Sequence, residues 1–412
     1  MSRPPVAAIR IALLLAASLA VAADALPRHT ELTAPEHNYW NRPLDDRLTR
    51  FLADGKGPKS LDTSSEKAFL TSFLAALDIP PSSQLLVFSK TSLQLGLISP
   101  SNPRAIYFNE EISVGYIPGG KIEVASVDPR LGAIFHIFEI PRGERPLEVT
   151  RSRRCMNCHA ATETQFVPGF VIKSVIPGPN GGSLDGFRIG ETGHHVALAD
   201  RFGGYYLSGA PRLARGHANR VGRFVDGEIV TEDLLFGDRF DLDRYPAPGS
   251  DLLAHLVHEH QAGFTNRVIA ATYLTRALLA EGGGSLRAGR GALLDARAGE
   301  LARYILFADE ASLPKGGLDG DPAFRRAFLS SRLPDARGRA LRDLDLRDRL
   351  FKYRCSYMIH SRAFQALPDA MKQRVHKKIR AALSPGAGPE FAYLPVDEKK
   401  IILAILQDTA PR

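Results

Sequence analysis

Two cysteines three positions apart with a histidine directly behind the second, Cys155-Met156-Asn157-Cys158-His159, constrain this chain more than any other stretch. C-x-x-C-H is the attachment pattern of c-type haem. Thiols at this spacing reach both vinyl groups of one porphyrin and form two thioethers. The following histidine is carried beneath the same ring face, where its imidazole can ligate the iron. A chain of this kind has to fold around a flat, rigid group fixed at one point. The motif predicts one covalent haem c, attached through Cys155 and Cys158, with His159 as the proximal iron ligand.

Chance and other chemistries explain the pentapeptide poorly. With the three cysteines and twelve histidines of this chain, the pattern arises at random about 0.0004 times per chain. A thioredoxin-like redox pair has no use for the trailing histidine. A structural zinc site needs four ligands, and only Cys355 remains to add to the cluster. A disulfide across two intervening residues is strained. Cys355 itself, in Tyr353-Arg354-Cys355-Ser356, reads as a buried free thiol.

The compartment fits the motif. Arg3 and Arg10 precede an apolar run from Ile11 to Ala22 that ends in small residues, which reads as a cleavable export signal over residues 1–23. The run is too short to span a hydrocarbon core about 30 Å thick. Export places the mature chain in the periplasm, and no second segment is apolar enough to make it an integral membrane protein. Loss of two arginines and no carboxylate lowers the formal charge from +8 to about +6. An excess of that size implies no nucleic acid, and it suits docking to acidic redox partners as well as plain solvation. Arg151, Arg153 and Arg154, directly before the motif, suit haem propionates or a docking patch, and read equally as a solvated basic turn.

With 44% hydrophobic and 24% charged residues, the remainder has the balance of a globular protein. Residues 24–80 form an N-terminal segment. From 81 to 245 the chain reads as a β-rich haem-attachment region with antiparallel strands over Leu85–Phe88, Ala105–Phe108, Ile112–Ile117, Lys121–Val127 and Ile134–Ile140, and with further strands at Phe166–Val175 and Arg201–Gly209. From 246 to 412 it reads as helical. Leu253, Leu256, Val257, Phe264, Val268, Ala271, Leu274 and Leu278 mark a long helix over Asp251–Glu281, followed by helices near Gly299–Ser312, Asp321–Ser330, Pro368–Leu383 and Val396–Gln407. The fold class expected is α+β: a β-rich N-terminal half carrying the C-x-x-C-H site and an α-helical C-terminal half that closes over it.

The second axial position is less constrained. No methionine lies between Met156 and Met358, so Met358 or Met371 would serve only if the chain returned from far away. Histidines offer more: His194 in Gly193-His194-His195, His217, and the helix group His255, His258 and His260. Of that group only His260 lies on the apolar stripe, so the distal candidates are His260, His217 and His194. Two other patterns fail: His258-Glu259 begins H-E-x-x-H but meets Ala262, and Asp238, Asp241 and Asp243 lack the glycine and distal glutamate of a calcium loop.

Several stretches look familiar together: Val87-Phe88-Ser89-Lys90-Thr91-Ser92-Leu93-Gln94, Pro103-Arg104-Ala105-Ile106-Tyr107-Phe108-Asn109, Pro168-Gly169-Phe170 behind the haem motif, Arg201-Phe202-Gly203-Gly204-Tyr205-Tyr206, and Glu259-His260-Gln261. From about Ser82 onward the chain resembles a poorly characterised family of large exported single-haem c-type cytochrome-like proteins of environmental bacteria. The family pattern has tryptophan in place of Tyr205 and glycine in place of Ala218. The resemblance implies the class and the compartment, and no substrate. The expected role is electron transfer between periplasmic redox partner proteins. The alternative is a haem enzyme of peroxidase or oxidase type, or a diatomic-ligand sensor, either of which needs an open distal position. No recognisable catalytic constellation favours the enzyme. A single haem needs only roughly a quarter of such a chain, so the rest implies docking surfaces or a pocket.

Overall fold

The computed structural model describes residues 31–143, 145–188, 190, 192–209 and 216–409, and the expected export signal lies outside them. Its centre is a seven-stranded antiparallel sheet built from β1 (Leu85–Val87), β2 (Arg104–Phe108), β3 (Ile112–Tyr116), β4 (Ile122–Asp128), β5 (Gly132–Phe138), β6 (Thr150–Arg151) and β9 (Tyr205–Tyr206), in the order β6-β5-β4-β3-β2-β1-β9. The five expected strands of the first hairpin series are all present. Their two-residue alternation decides which side chains go where. Ile112, Val114 and Tyr116 turn to one face, while Ser113 and Gly115 turn to the other. The β4–β5 turn is set by Asp128, whose Oδ1 accepts from the amides of Arg130 and Leu131 at 2.8 and 2.9 Å, an Asx turn. Gly132 follows at φ +85°, with the carbonyl of Pro168 2.7 Å from where a Cβ would stand, so both backbone and space require glycine there.

Both faces of the sheet are covered. Helices α1 (Arg47–Ala53) and α2 (Glu66–Ala76) pack Phe69 and Phe73 against Phe138, Val114 and Val124 on one side. The other side meets α4 (Leu252–Glu281), where Leu85, Val87, Phe108 and Val127 join a core shared with Val257, Phe264 and Val268. The C-terminal half is helical, with α5 (Gly291–Ile305), α6 (Pro322–Leu329), α7 (Arg362–Gln365), α8 (Asp369–Ala382) and α9 (Val396–Thr409). No helix among the described residues is long and apolar enough to cross a membrane.

Several expected elements differ. Phe166–Val175 is mostly irregular: Gln165 and Phe166 stand at φ +55° and +59°, and only Ser174–Pro177 forms a strand (β7), paired with β8 (Ser183–Arg188). Arg201–Gly209 contributes only β9, because Phe202 and Gly204 take left-handed φ values and bend the chain on either side of Gly203. The helix expected over Gly299–Ser312 begins at Gly291, where Leu294, Ala298, Leu301 and Ile305 supply its buried stripe, and it stops before Phe307 and Asp309 at φ +57° and +63°. A hairpin of β10 (Arg220–Val225) and β11 (Glu228–Asp233) was not expected, although its two-residue Asp226-Gly227 turn, both residues at positive φ, is a strong hairpin signal.

Candidate haem-attachment site

The motif sits where the sheet's edge strand runs out. β6 pairs with β5, the Ser152 amide donates to Phe135 O at 2.8 Å, and the chain then turns into the single helical turn α3 (Met156–His159). Within that turn Cys158 N donates to Cys155 O at 3.2 Å and His159 N to the same oxygen at 3.0 Å. The i, i+3 spacing puts Cys155 and Cys158 on one side of the turn. Neither is in a disulfide; Cys155 is half-buried and Cys158 exposed. Burial raises the Cys155 thiol above its ordinary range, with the Ser152 hydrogen bond pulling the other way.

The turn is held from beneath. Tyr39 donates its hydroxyl to Ala133 O at 2.7 Å and also lies 3.6 Å from Met156 Sδ. Arg151 donates to the carbonyls of Tyr39 and Trp40 and lies over both rings. Arg151 is therefore committed to the N-terminal segment and not offered to a propionate or partner. Arg153 stacks on Trp40 at 4.3 Å, and Arg153 and Arg154 are exposed.

His159 is fixed in one tautomer. Its Nδ1 lies 2.9 Å from Gly169 O, and a carbonyl only accepts, so Nδ1 carries the proton and Nε2 keeps its lone pair. Nε2 has no hydrogen-bond partner among the described residues. Burial pushes the imidazole down to about 4, with the bond to Gly169 opposing it, so the ring is neutral at neutral pH. One face of it lies against Phe135, centroids 4.3 Å apart. A neutral histidine with Nδ1–H on a backbone carbonyl and Nε2 free has the arrangement found in metal-ligating imidazoles. Two unpaired thiols on one helical turn beside it complete a donor set that fits a covalently tethered haem.

The carbonyl that orients His159 is itself positioned from α4. Asn266 Oδ1 accepts from Phe170 N at 2.7 Å and its Nδ2 donates to Phe170 O at 2.8 Å, so one amide satisfies both backbone groups of the residue after Gly169. A Cβ on Gly169 would stand 2.5 Å from Asn266 Oδ1. Asn266 was not singled out by the sequence, because its partner lies 96 positions away. Asn266→Ala is expected to cost about 2–3 kcal/mol, since it leaves two backbone groups short of partners. Asn266→Asp keeps the acceptor for Phe170 N but sets a second acceptor against Phe170 O in a buried place, so it is expected to destabilise as well. Urea unfolding midpoints check both.

The distal candidates lie elsewhere. His194 and His260 face each other, Nδ1 to Nδ1 at 2.9 Å, and His260 Nε2 is 2.8 Å from Ser356 Oγ. Both rings stack with Tyr304 and Phe307 in the helical core. His260 thus has both nitrogens engaged as a core histidine, while His194 Nε2 is buried without a partner. Among the described residues neither has a hydrogen bond or ring contact with His159. His217 is held through its backbone, N to Arg201 O at 3.0 Å. His255 bonds Ser250 Oγ at 3.0 Å. His258, set aside by the sequence because it lies off the apolar stripe, is half-buried, has its ring tilted against that of Phe108 with centroids 4.6 Å apart, and lines a small cleft between the sheet and α4 that Phe170 also lines.

Cys355 is fully buried, and burial pushes its thiol up to about 12. Among the described residues no three or more His, Cys, Asp or Glu side chains converge as an all-protein metal site. A larger cleft of about 810 Å³ lies at the start of α4 and α6, lined in part by Asp251, Asp321 and Arg347. It shares no residue with the motif. Comparison of the chain with family models, with curated proteins and with solved structures finds no match.

Proposed function

We propose that this chain is a periplasmic c-type cytochrome that carries one haem through Cys155 and Cys158, with His159 on the iron, and that passes single electrons between redox partner proteins. The observation that carries the reading is the state of the pentapeptide's three donors: two unpaired thiols on one turn and a neutral imidazole whose Nδ1 is bound to Gly169 O and whose Nε2 is free. The haem would supply the one-electron couple. The chain's part is to hold His159 in a single tautomer and orientation through Gly169, Phe170 and Asn266. Rigidity of that kind suits a carrier, because a ligand that does not shift between oxidation states adds little reorganisation to each transfer.

The second reading, a haem enzyme or diatomic-ligand sensor, draws on the polar cleft lined by His258, Gln261 and Thr265. Ferric and ferrous visible spectra with and without carbon monoxide separate the two. The carrier reading expects a low-spin spectrum that carbon monoxide does not alter. A high-spin ferrous form that binds carbon monoxide would replace it with the enzyme or sensor reading.

A further inference from the structure

We infer that the surface beside the attachment turn, built on Trp40, Arg153 and Arg154, is the docking site for the acidic face of a single-electron partner, an inference that rests on the attachment proposed above. The order of the sheet fixes its place. β6 is the outermost strand and only two residues long, and the chain that leaves it for α3 stays at the surface. Arg153, Arg154, Asn157 and Cys158 are all exposed there. A thioether made at an exposed sulfur stands at the surface too, which gives an electron a short way in or out next to the two arginines.

The charge on this surface is held in place without being neutralised. Arg151 and Arg153 both lie over the ring of Trp40, at 4.8 and 4.3 Å, so two guanidinium groups share one indole. Trp40 in turn stands edge-on to Tyr39, whose hydroxyl lies 3.6 Å from Met156 Sδ in the turn itself. Stacking engages the face of a guanidinium and leaves the N–H groups in its plane unspent. Arg151 donates its own to the carbonyls of Tyr39 and Trp40. The side chains of Arg153 and Arg154 make no hydrogen bond and no ion pair among the described residues. Exposed arginines elsewhere are tied to carboxylates, as Arg303 is to Asp309 and Arg362 to Asp45. Here three like charges within four positions have no acid paired with them.

A carboxylate meets such a fork in two parallel hydrogen bonds. The cost of ordering Arg153 on binding is reduced because the indole already holds it. The carboxylates belong to a partner and not to the haem's own propionates. On the porphyrin the propionates lie on the edge opposite the vinyl groups, and Cys155 and Cys158 take the vinyl groups, so the propionates point away from the residues just before Cys155. A patch of this sign speeds the approach of an acidic surface and loses that effect as salt screens it.

The test is kinetic and is made on the haem-loaded full chain, with haem content read by mass and the reduction potential measured for every variant. Ferrous wild type, Arg153→Gln, Arg154→Glu and Arg223→Glu are oxidised by hexacyanoferrate(III), a small anion that stands in for the partner's acidic face, and by the cation tris(phenanthroline)cobalt(III). Arg223 is the control of equal charge, exposed on the hairpin that starts beside β9 at the opposite edge of the sheet. Arg154→Glu is expected to slow the anionic oxidant about tenfold at low salt, the order that electrostatic steering supplies, and to quicken the cationic one. In molar salt, where screening acts within about 3 Å, both rates are expected within about twofold of wild type. Arg153→Gln is expected to act in the same direction by less, and Arg223→Glu to change neither rate by more than about twofold. An Arg154→Glu protein that matches wild type or Arg223→Glu with both oxidants overturns the inference and leaves a solvated basic turn. Rates that shift in the same direction with both oxidants overturn it too, because they report the potential or the fold and not the sign of the surface. Wild-type protein that lacks haem by mass overturns the attachment and this inference with it, which tells that failure apart from a docking site that fails on loaded protein.

Discussion

Protein in which Cys155 and Cys158 are both changed to serine is expected to fold and to lose all covalent haem, while Cys355→Ser is expected to keep a full load. The difference follows from where the thiols sit. Cys158 is exposed and Cys155 half-buried, and the turn that carries them is held by other groups: Tyr39 beneath Met156, the Ser152 amide on Phe135, and Gly169 N on His159 O at 2.9 Å. Removing two sulfurs leaves those ties intact. Cys355 is enclosed in the helical core, where a group of porphyrin size has no access, so its replacement touches packing and not attachment. Each single variant, Cys155→Ser or Cys158→Ser, is expected to retain one thioether and a reduced load. Haem per polypeptide after denaturation measures all four, with far-ultraviolet circular dichroism reporting the fold. Loss of haem in Cys355→Ser with retention in the double variant would reverse the assignment.

The second large effect is instability in acid. His194, His255 and His260 are buried and neutral. Burial holds His255 and His260 at about 3, and holds His194 well below its usual value, with His260 and nearby arginines adding to the effect. In the unfolded chain each returns to about 6.5. Below that pH the unfolded state binds protons that the folded state refuses, so stability falls as pH falls. It is fully present above about pH 6.5 and declines toward the folded values, each residue contributing a slope of about 1 kcal/mol per pH unit. Glu310 acts in the opposite direction, because burial raises it to about 7. Its protonated folded form favours the native state below its unfolded value near 4.5, an advantage lost as pH rises through 7, so it offsets about one histidine. The net slope is about 2–3 kcal/mol per pH unit below pH 6, a loss of about 4–6 kcal/mol by pH 4 that reaches only the lower end of an ordinary stability of about 5–15 kcal/mol. Urea unfolding at pH 7.5, 6 and 5 checks this. Equal midpoints at the three values would mean that these histidines are not held neutral in a closed core.

The parts of the fold that were legible in the sequence are those with a local signal. The strands from Leu85 to Phe138 announce themselves by their short apolar runs between turn signals, and the long helix by its apolar spacing. What was not legible depends on contacts between distant residues. Phe166–Val175 carries strand-like side chains, yet it folds back because Gly169 and Phe170 are taken by His159 and Asn266. Periodicity also has a limit along α4. An apolar stripe says which side of a helix is buried, but α4 is buried both against the sheet and against α5 and its neighbours. The stripe alone does not tell the side that faces the sheet from the side that faces Tyr304 and Phe307.

The most direct measurement is the intact mass of the denatured protein, made in a host competent to mature c-type cytochromes. The account predicts one species carrying the added mass of one haem, with its visible absorbance retained after denaturation and solvent extraction, and with the added mass mapping to the peptide that contains Cys155 and Cys158. A colourless polypeptide of bare mass, or one whose haem is removed by extraction, would contradict it.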